Sequence, residues 1–312
     1  MSELLISVVI CTHNPRPDYL NRVLQALSKQ TLPPSNWELL IIDNASIPSL
    51  ASFGDLTWHP HAQIAVEKTL GVYYARLRGI KDSRAPIILY VDDDNVLAPD
   101  YLEQVLAINQ EFPQLGTWGA GLIQPDYEKE PDPELKPFCE ILALRNIQHD
   151  TWTTSQKLGP SVPYGAGMAM RRSIATAFIE HIERIKGQVI FGPRGSKLNS
   201  AEDIAFSLFA ADRGSGYGLF RRLSITHLIP ERRVQRDYLF QIWEAYSYGN
   251  FLLELVRQDV KGAPRFGFMS IARELLAPLL KALFGSSMRR AVFRRVFIGR
   301  WRAWQEYEKP KA

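Results

Sequence analysis

Three continuously apolar stretches in the first hundred residues constrain the fold most strongly. They read LLISVVI, ELLII and IILYV, and longer stretches with helical spacing of apolar residues lie between and after them. Strands covered by helices on both faces read as unbroken apolar runs, and strands that alternate with helices form βαβ units. The sequence therefore predicts an α/β fold on a mostly parallel, doubly wound sheet. The predicted strands cover 4–10, 37–42 and 86–91, and the predicted helices cover 18–29, 71–81 and 100–112.

A polar cluster follows each of these three strands. The clusters read CTHN at 11–14, DNAS at 43–46 and DDDN at 92–95. Parallel α/β sheets bind ligands beyond the carboxyl ends of their strands. We therefore expect one ligand site that draws on all three clusters.

The remaining sequence predicts a less regular second half. Residues 124–158 are aperiodic and rich in Pro, Glu and Lys, and we expect a long excursion that borders the site. Regular patterns resume in a strand at 162–170, helices at 173–186 and 201–213, and a strand at 217–226. From residue 234 onward the pattern is helical.

Composition excludes several classes of protein. With 312 residues, 46% of them hydrophobic, the chain is too long for a miniprotein and too apolar for a disordered chain. A net charge of +4 does not favour a nucleic-acid partner. Cys11 and Cys139 are the two cysteines, so neither a disulfide framework nor a zinc site is expected. We expect a reducing, cytoplasmic location instead.

The sequence predicts neither a leader nor a membrane span. No basic residue precedes the first apolar run and no small-residue cleavage pattern follows it, which argues against a signal peptide. The most apolar later segment, 266–284, is interrupted by charges and a proline, whereas a span needs about 18 apolar residues.

Three consecutive carboxylates at 92–94 need either a cation or open solvent. Two carboxylates about 4 Å apart repel by about 1 kcal/mol in water and about 4 kcal/mol at an effective dielectric of 20. Mg²⁺ and Mn²⁺ prefer oxygen ligands and keep positions open for phosphates. Taken alone, the cluster fits a solvated acidic turn better. An EF-hand is excluded because Val96 and Leu97 stand where an oxygen ligand and a glycine are needed.

Further candidates lie later in the chain, each with a structural alternative. In SAED at 200–203, Ser200 can cap a helix and Glu202 or Asp203 can interact with its dipole, but a carboxylate there can also act as a general base. The glycines of YGAG at 164–167 allow either close approach to a ligand or a tight bend. His227, at the end of a predicted strand, is either a packed side chain or a further metal ligand.

Taken together, these motifs resemble the inverting glycosyltransferases of family 2, which have a GT-A fold. The resemblance covers roughly residues 4–235. It depends on seven motifs in order: SVVICTHNP, IIDNAS, GVYYARLRG, VDDDN, PYGAGMAMRR, SAEDIAFSL and HLIPERR. Family members often read A-R-N-x-G where this chain has Leu77 after Arg76, and this departure puts finer contacts there in doubt.

The resemblance implies a divalent metal, Mn²⁺ or Mg²⁺, and a catalytic base. Asp92 and Asp94 take the two places of the D-x-D motif, with Asp94 as the direct ligand, and His227 completes the metal shell. Asp203 is the implied base, with Glu202 as its neighbour. The implied nucleotide- and sugar-binding residues are Thr12, Asn14, Asp43, Arg76, Asp92, Asp93, Gly165, Ala166, Gly167 and Glu202. Among them, Asp43 would hydrogen-bond the base of the nucleotide.

The implied function is metal-dependent, inverting transfer of a sugar from a nucleoside-diphosphate sugar, with UDP-sugar expected, to a hydroxyl of a glycan or lipid-linked acceptor. Residues 1–233 would be the catalytic domain, with a nucleotide-sugar half at 1–125 and an acceptor half at 126–233. A nucleotidyltransferase is the alternative enzyme, although it would need a glycine-rich loop and residues 11–17 contain no glycine. A catalytically inactive scaffold at a membrane is the other alternative.

The C-terminal extension, 234–312, is distinguished by charge. Residues 281–311 contain nine basic and two acidic residues, a net charge of +7. Arginines interleaved with Val, Phe and Trp favour either an amphipathic helix on anionic lipid, at the inner face of the plasma membrane, or a helical subdomain whose arginines bind the acidic body or another subunit. The sequence leaves both open, as it does the sugar, linkage and oligomeric state.

Overall fold

The computed structural model describes residues 3–50, 55–184, 201–260, 268–282 and 285–308. The chain divides into two compact units. The first consists of Met1–Asp126, Ala143–His181 and Asp203–Ile229, and the second of Tyr127–Leu142, Ile182–Glu202 and Pro230–Ala312. The predicted division at residues 125 and 233 into functional parts stays a prediction.

The described strands form one ten-stranded sheet. Eight strands lie in the order β3-β2-β1-β4-β9-β6-β10-β5, with β7 paired to β6 and β8 paired to β10. The strands are β1 (Ile6–Thr12), β2 (Trp37–Asp43), β3 (Ala62–Val66), β4 (Ile87–Val91), β5 (Asn95–Leu97), β6 (Leu115–Tyr127), β7 (Arg145–Asn146), β8 (Thr151–Thr153), β9 (Ala169–Arg171) and β10 (Gly216–Ile229).

Helices connect and cover the strands. They are α1 (Pro17–Ser28), α2 (Val72–Asp82), α3 (Tyr101–Glu111), α4 (Arg172–Arg184), α5 (Glu202–Asp212), α6 (Arg236–Val260), α7 (Phe268–Ala282) and α8 (Ser287–Tyr307). Short 3-10 helices cover Pro34–Asn36, Lys136–Leu142 and Glu231–Val234. Residues 185–186 of the helix predicted at 173–186 lie outside the described residues.

The first four strands confirm the predicted parallel arrangement. β1 pairs in parallel with both β2 and β4, and β2 pairs in parallel with β3. Every residue of β2 and β4 is buried, as the unbroken apolar runs predict. In register, Thr12 lies beside Asp43 and Ile10 lies beside Val91, so the polar clusters that follow these strands emerge at one edge.

The other half of the sheet is antiparallel, which the sequence pattern did not indicate. β9 pairs antiparallel with both β4 and β6, and β10 pairs antiparallel with β5 and β8. The strand predicted at 162–170 is wrong over most of its length, because only Ala169–Arg171 is extended. Pro163 and Gly167, which has a φ of +69°, turn the chain before β9.

Five strands, β3 and β5 to β8, were not predicted, and the excursion is more regular than expected. β3 is only partly buried, which explains its weak apolar signal. β6 carries polar residues in its last third and extends into the region predicted to be aperiodic. That region also contains the 3-10 helix Lys136–Leu142 and the short strands β7 and β8.

The helices of the second unit confirm the predicted helical C-terminal region. Tyr248, Phe251 and Leu252 of α6 pack in one cluster with Leu275 of α7 and Ala303 of α8. Gly299 permits close approach of α8 to α6, because a Cβ there would lie 3.0 Å from the backbone nitrogen of Tyr248.

The arginines of α8 pair with acids of the same unit. Arg295 and Arg302 both reach the carboxylate of Glu244 on α6, at 3.1 and 2.5 Å. Arg300 lies 3.1 Å from the carboxylate of Glu274 on α7. These three arginines therefore join helices of one subdomain, whereas the sequence interpretation expected them to bind anionic lipid, the acidic body or another subunit. In the described residues, no helix is both long and apolar enough to cross a membrane.

Candidate active site

The polar clusters of β1 and β4 meet directly at the edge of the sheet. The buried hydroxyl of Thr12 donates a short hydrogen bond to a carboxylate oxygen of Asp93. Thr12 and Asp93, both predicted to bind the nucleotide, are thus brought together. The parallel register of β1 and β4 makes this contact possible.

The loops after β1 and β2 are held together by Asn14. Its φ of +47° is left-handed, a conformation that asparagine tolerates better than most residues. Its backbone N–H donates to Oγ of Ser46 at 2.9 Å, and its side-chain Oδ1 accepts from the N–H of Ile47 at 2.8 Å. Asn14 itself is exposed at the rim, where a ligand can reach it.

Asp43 shapes the loop that follows β2. Its side chain is fully buried; Oδ1 accepts from the N–H of Ser46 at 3.0 Å, and Oδ2 accepts from the hydroxyl of Ser49 and the N–H of Leu50, both at 2.9 Å. Burial acts to raise the pKa of Asp43, but these hydrogen bonds outweigh it and hold the pKa below its usual value. Contact with a nucleotide base stays a prediction for this residue.

Asn44 is a positioning residue that the sequence interpretation missed. Its Nδ2 donates to the carbonyl oxygens of Glu67 and Thr69 at 3.1 and 2.7 Å, and its Oδ1 accepts from the N–H of Gly71 at 2.7 Å. Gly71 precedes α2 at a φ of +138°. Asn44 therefore sets the start of α2, and its place directly after a strand was the available signal.

Arg76 of α2 lies between the acidic cluster and the glycine-containing loop. It is 9% exposed, its Nη2 is 3.8 Å from Oδ1 of Asp92, and its guanidinium lies over the ring of Tyr90 at 5.2 Å. A Cβ on Gly165 would collide with Nη2 of Arg76. The absence of a side chain at 165 thus makes room for the arginine.

Asp94 and His227 form a buried pair. β10 pairs with β5 so that His227 lies opposite Asn95, and the N–H of Leu228 donates to the carbonyl of Asp94 at 2.8 Å. The two residues are each 6% exposed, and Nε2 of His227 is 3.5 Å from Oδ2 of Asp94. The antiparallel pairing of β5 and β10 therefore brings together two residues that are far apart in sequence.

This pair fits two ligands of one divalent cation. Two neighbouring ligands about 2.1 Å from an octahedral ion are about 3.0 Å apart, close to the separation here. Oδ1 of the buried Asn95 also finds no hydrogen-bond donor among the described residues. Within the described part of the chain, no group of three or more Asp, Glu, His or Cys side chains could hold a metal, so other ligands would have to come from diphosphate oxygens and water.

Asp203 lies at the start of α5 with its carboxylate against the glycine-containing loop. Oδ2 accepts from the N–H of Gly165 at 2.9 Å, and Oδ1 accepts from the N–H of Ile204 at 2.8 Å. Burial raises the pKa of Asp203, and the charges of Arg76 and Arg145 together with these two hydrogen bonds only partly oppose that rise. A carboxylate with a raised pKa, held at a rim, has the properties of a general base.

The glycine-containing loop has mainly a structural role. Gly167 turns at a left-handed φ, its carbonyl accepts from the hydroxyl of Tyr101 at 2.7 Å, and a Cβ there would collide with that hydroxyl and with Ile225. Ala166 is buried in the core. Gly165 is thus the member of the predicted sugar-facing trio whose backbone reaches Asp203. Sugar contacts by all three stay predictions.

The predicted environment of Asp203 needs one addition, Arg145. Glu202, the first residue of α5, is buried at 4% exposure. Ser200, the predicted cap, lies outside the described residues. Arg145 of β7 was not predicted: its guanidinium lies 3.9 Å from the ring centre of Tyr164, the residue before Gly165. Arg145 lies in a segment without sequence periodicity, so no sequence pattern indicated its position near the site.

Comparison with known proteins assigns the class. The profile described as Glycosyl transferase family 2 matches residues 7–176, a span that contains most of β1, the acidic cluster and the glycine-containing loop. This match covers more than half of the chain and, with the mixed α/β sheet, confirms the predicted GT-A type of transferase fold. The chain belongs to glycosyl transferase family 2.

Similar proteins include bacterial glycosyltransferases. The uncharacterized glycosyltransferase YwdF of Bacillus subtilis (strain 168) is 35% identical over 103 residues, which are 32% of this chain and 36% of that protein. Validoxylamine A glucosyltransferase of Streptomyces hygroscopicus subsp. limoneus is 27% identical over 164 residues, 49% of this chain and 35% of that protein. This chain thus spans about a third of the length of these relatives.

A solved structure with low structural and sequence similarity also aligns with most of this chain. It is S. aureus TarS 1-349, with a TM-score of 0.49 and 15% identity over 98% of this chain and 92% of that one.

Proposed function

We propose that this chain is a metal-dependent, inverting glycosyltransferase. It would move a sugar from a nucleoside-diphosphate sugar, with UDP-sugar as the expected donor, to a hydroxyl of a glycan or lipid-linked acceptor. The observation that carries the proposal is the carboxylate of Asp203, which receives hydrogen bonds from Gly165 and Ile204 and has a raised pKa.

In the proposed reaction the acceptor oxygen attacks the anomeric carbon as the bond to the diphosphate breaks on the opposite face. One displacement of this kind inverts the configuration. Asp203 receives the hydroxyl proton as the new carbon–oxygen bond forms, and a positioned base contributes about 10²–10⁴-fold. The two backbone N–H donors fix the orientation of the carboxylate before the acceptor arrives.

The rim provides a place for the donor. Asp94 and His227 would hold the metal, and the metal would neutralise charge on the departing diphosphate. Thr12, through its hydrogen bond to Asp93, and Arg76, beside Asp92, keep the acidic cluster in place. The exposed Asn14 stands at the same rim.

The two alternatives are less well supported. A nucleotidyltransferase would need a glycine-rich loop after β1, which this chain lacks. An inactive scaffold would have no reason to keep both the carboxylate of Asp203 held by two backbone donors and the Asp94–His227 pair. Family membership favours sugar transfer over both.

Nucleotide binding tests the proposed donor site. Thermal unfolding should be measured with UDP, GDP, dTDP and CDP, each with Mn²⁺ and with EDTA. A nucleotide at 100 times its dissociation constant stabilises by about 2.7 kcal/mol, so a Mn²⁺-dependent rise in melting temperature with UDP is expected. Asp94→Asn should abolish the rise, whereas Asp212→Asn, an exposed change on α5, should keep it. No rise with any nucleotide would contradict the proposed donor site.

We also propose a peripheral membrane position through α8. Arg290, Arg294, Ile298 and Trp301 recur at helical spacing on one face, and all four are exposed. The rings of Phe297 and Trp301 stack, with their centres 6.3 Å apart. Exposed arginines beside Trp and Ile suit the interface of an anionic bilayer. This surface is smaller than the sequence indicated, because other arginines of α8 pair with Glu244 and Glu274.

A further inference from the structure

Arg145 offers a hydrogen-bond donor that the described structure does not use. Its Nη1 is shielded from solvent and has no hydrogen-bond acceptor among the described residues. A buried donor of a charged group without an acceptor is costly, which makes such an atom a place to look for an absent ligand. The guanidinium is held in position by the ring of Tyr164, 3.9 Å away, because a cation is attracted to the face of an aromatic ring.

Arg145 is connected to the proposed base through two consecutive residues. Tyr164 carries the guanidinium on its ring, and the next residue, Gly165, donates its N–H to Oδ2 of Asp203 at 2.9 Å. The positive charge of Arg145 is close enough to lower the pKa of Asp203, against the larger effect of burial. Arg145 thus belongs to the surroundings of the base.

The second arginine near the base is already engaged. Arg76 lies 3.8 Å from Asp92 on the side of the acidic cluster, and its backbone carbonyl accepts from the hydroxyl of Tyr90 at 3.2 Å. Arg145 comes from β7, which pairs with β6, on a different element. Arg76 therefore neutralises charge of the acidic cluster, and Arg145 keeps a hydrogen-bond donor available near the proposed base.

We propose that Arg145 binds an anionic group, a phosphate or a carboxylate, of the acceptor. The inference depends on the proposed function, because Asp203 takes its proton from the acceptor hydroxyl and a group beside Asp203 therefore faces the acceptor. Phosphate and carboxylate oxygens match the planar donors of a guanidinium. The acceptor class is thus a hydroxyl compound that carries a negative charge near the accepting hydroxyl.

The test compares sugars with and without a charge. Dissociation constants of glucose 6-phosphate, glucuronate and glucose should be measured by ligand-observed NMR, on the protein alone and on the protein with UDP and Mn²⁺. Charged hydrogen bonds of this kind change affinity by about 10- to 100-fold. The wild-type chain should bind the two anionic sugars at least about tenfold more tightly than glucose. In Arg145→Met that preference should fall to about one, and Arg145→Lys should retain part of it.

Arg221→Met serves as the matched control. Arg221 donates to Oδ1 of Asn146 at 3.0 Å and to the carbonyl of Ile147 at 2.6 Å, so its loss disturbs the same short strand without removing the contact with Tyr164. The control should keep the preference for anionic sugars. An equal loss in Arg221→Met and Arg145→Met would overturn the proposal in favour of a structural role for Arg145.

Two other outcomes separate this proposal from the proposed function. If Arg145→Met weakens UDP binding tenfold and leaves the preference for anionic sugars unchanged, Arg145 serves the donor diphosphate and the proposal is wrong. If wild-type protein binds no UDP but shows a preference for anionic sugars that depends on Arg145, the donor site fails and the anion site stands.

Discussion

Gly167→Ala should lower the free energy of unfolding of the first unit, through backbone strain and through a steric collision. Its φ of +69° costs an alanine about 1–2 kcal/mol. The new Cβ would also collide with the hydroxyl of Tyr101 and with Cδ1 of Ile225, both buried, and such overpacking typically costs about 1–3 kcal/mol. The expected loss in free energy of unfolding is therefore about 2–5 kcal/mol.

Gly214→Ala is the matched control for that prediction. Gly214 has a similar φ of +83°, but a Cβ there would meet nothing within 4 Å. Its loss should therefore be about 1–2 kcal/mol, the conformational part alone. Urea unfolding of the wild type and both variants gives the comparison. Equal losses in the two variants would refute the collision of a Cβ at position 167 with Tyr101 and Ile225.

Three further predictions follow from particular residues. The buried carboxylate of Glu38 accepts hydrogen bonds from Ser7 and Arg84. Burial acts to raise the pKa of Glu38, but these hydrogen bonds outweigh burial and lower the pKa overall. The ionised Glu38 therefore stabilises the fold above its unfolded pKa, and this stabilisation is lost as the pH falls through its folded pKa. Glu38→Gln should thus cost about 1.5–3 kcal/mol at pH 7 in urea unfolding, and a cost that persists at pH 2 would contradict this account. Because the proposed base Asp203 would act in its ionised form and burial raises its pKa, kcat/KM should fall about tenfold per pH unit below that pKa, and a pH-independent profile would argue against base catalysis. Co-sedimentation with vesicles containing phosphatidylserine should weaken in Arg290→Ala/Arg294→Ala but not in Arg22→Ala, an exposed change on α1, and equal binding by all three proteins would exclude the α8 surface.

Three of the four parallel strands and the rim beyond them could be predicted because their signals are local. Continuous apolar runs mark β1, β2 and β4, and the polar residues directly after them lie at one edge as a consequence of parallel pairing. The pairing of Asp94 with His227 could be inferred only from the family resemblance, since it depends on the pairing of β5 with β10, in which Asn95 lies opposite His227, 132 residues later.

The rest depended on contacts between distant residues, which periodicity does not record. β9 has only three residues, and its neighbours β4 and β6, rather than its own sequence, determine its place. Asp43 was predicted as a ligand-binding residue, yet its oxygens are used by Ser46, Ser49 and Leu50 of its own loop. Arg145 owes its place to Tyr164, nineteen residues later in the chain.

Sugar transfer by Asp203→Asn tests the central claim most directly. UDP release from UDP-sugars should be followed in the presence of Mn²⁺, with UDP affinity measured on the same preparations and Asp212→Asn as the control on the same helix. The account predicts that Asp203→Asn loses about 10²–10⁴-fold in kcat and retains UDP affinity, because asparagine cannot accept the acceptor's proton. Undiminished turnover in Asp203→Asn would contradict the assignment of Asp203 as the base.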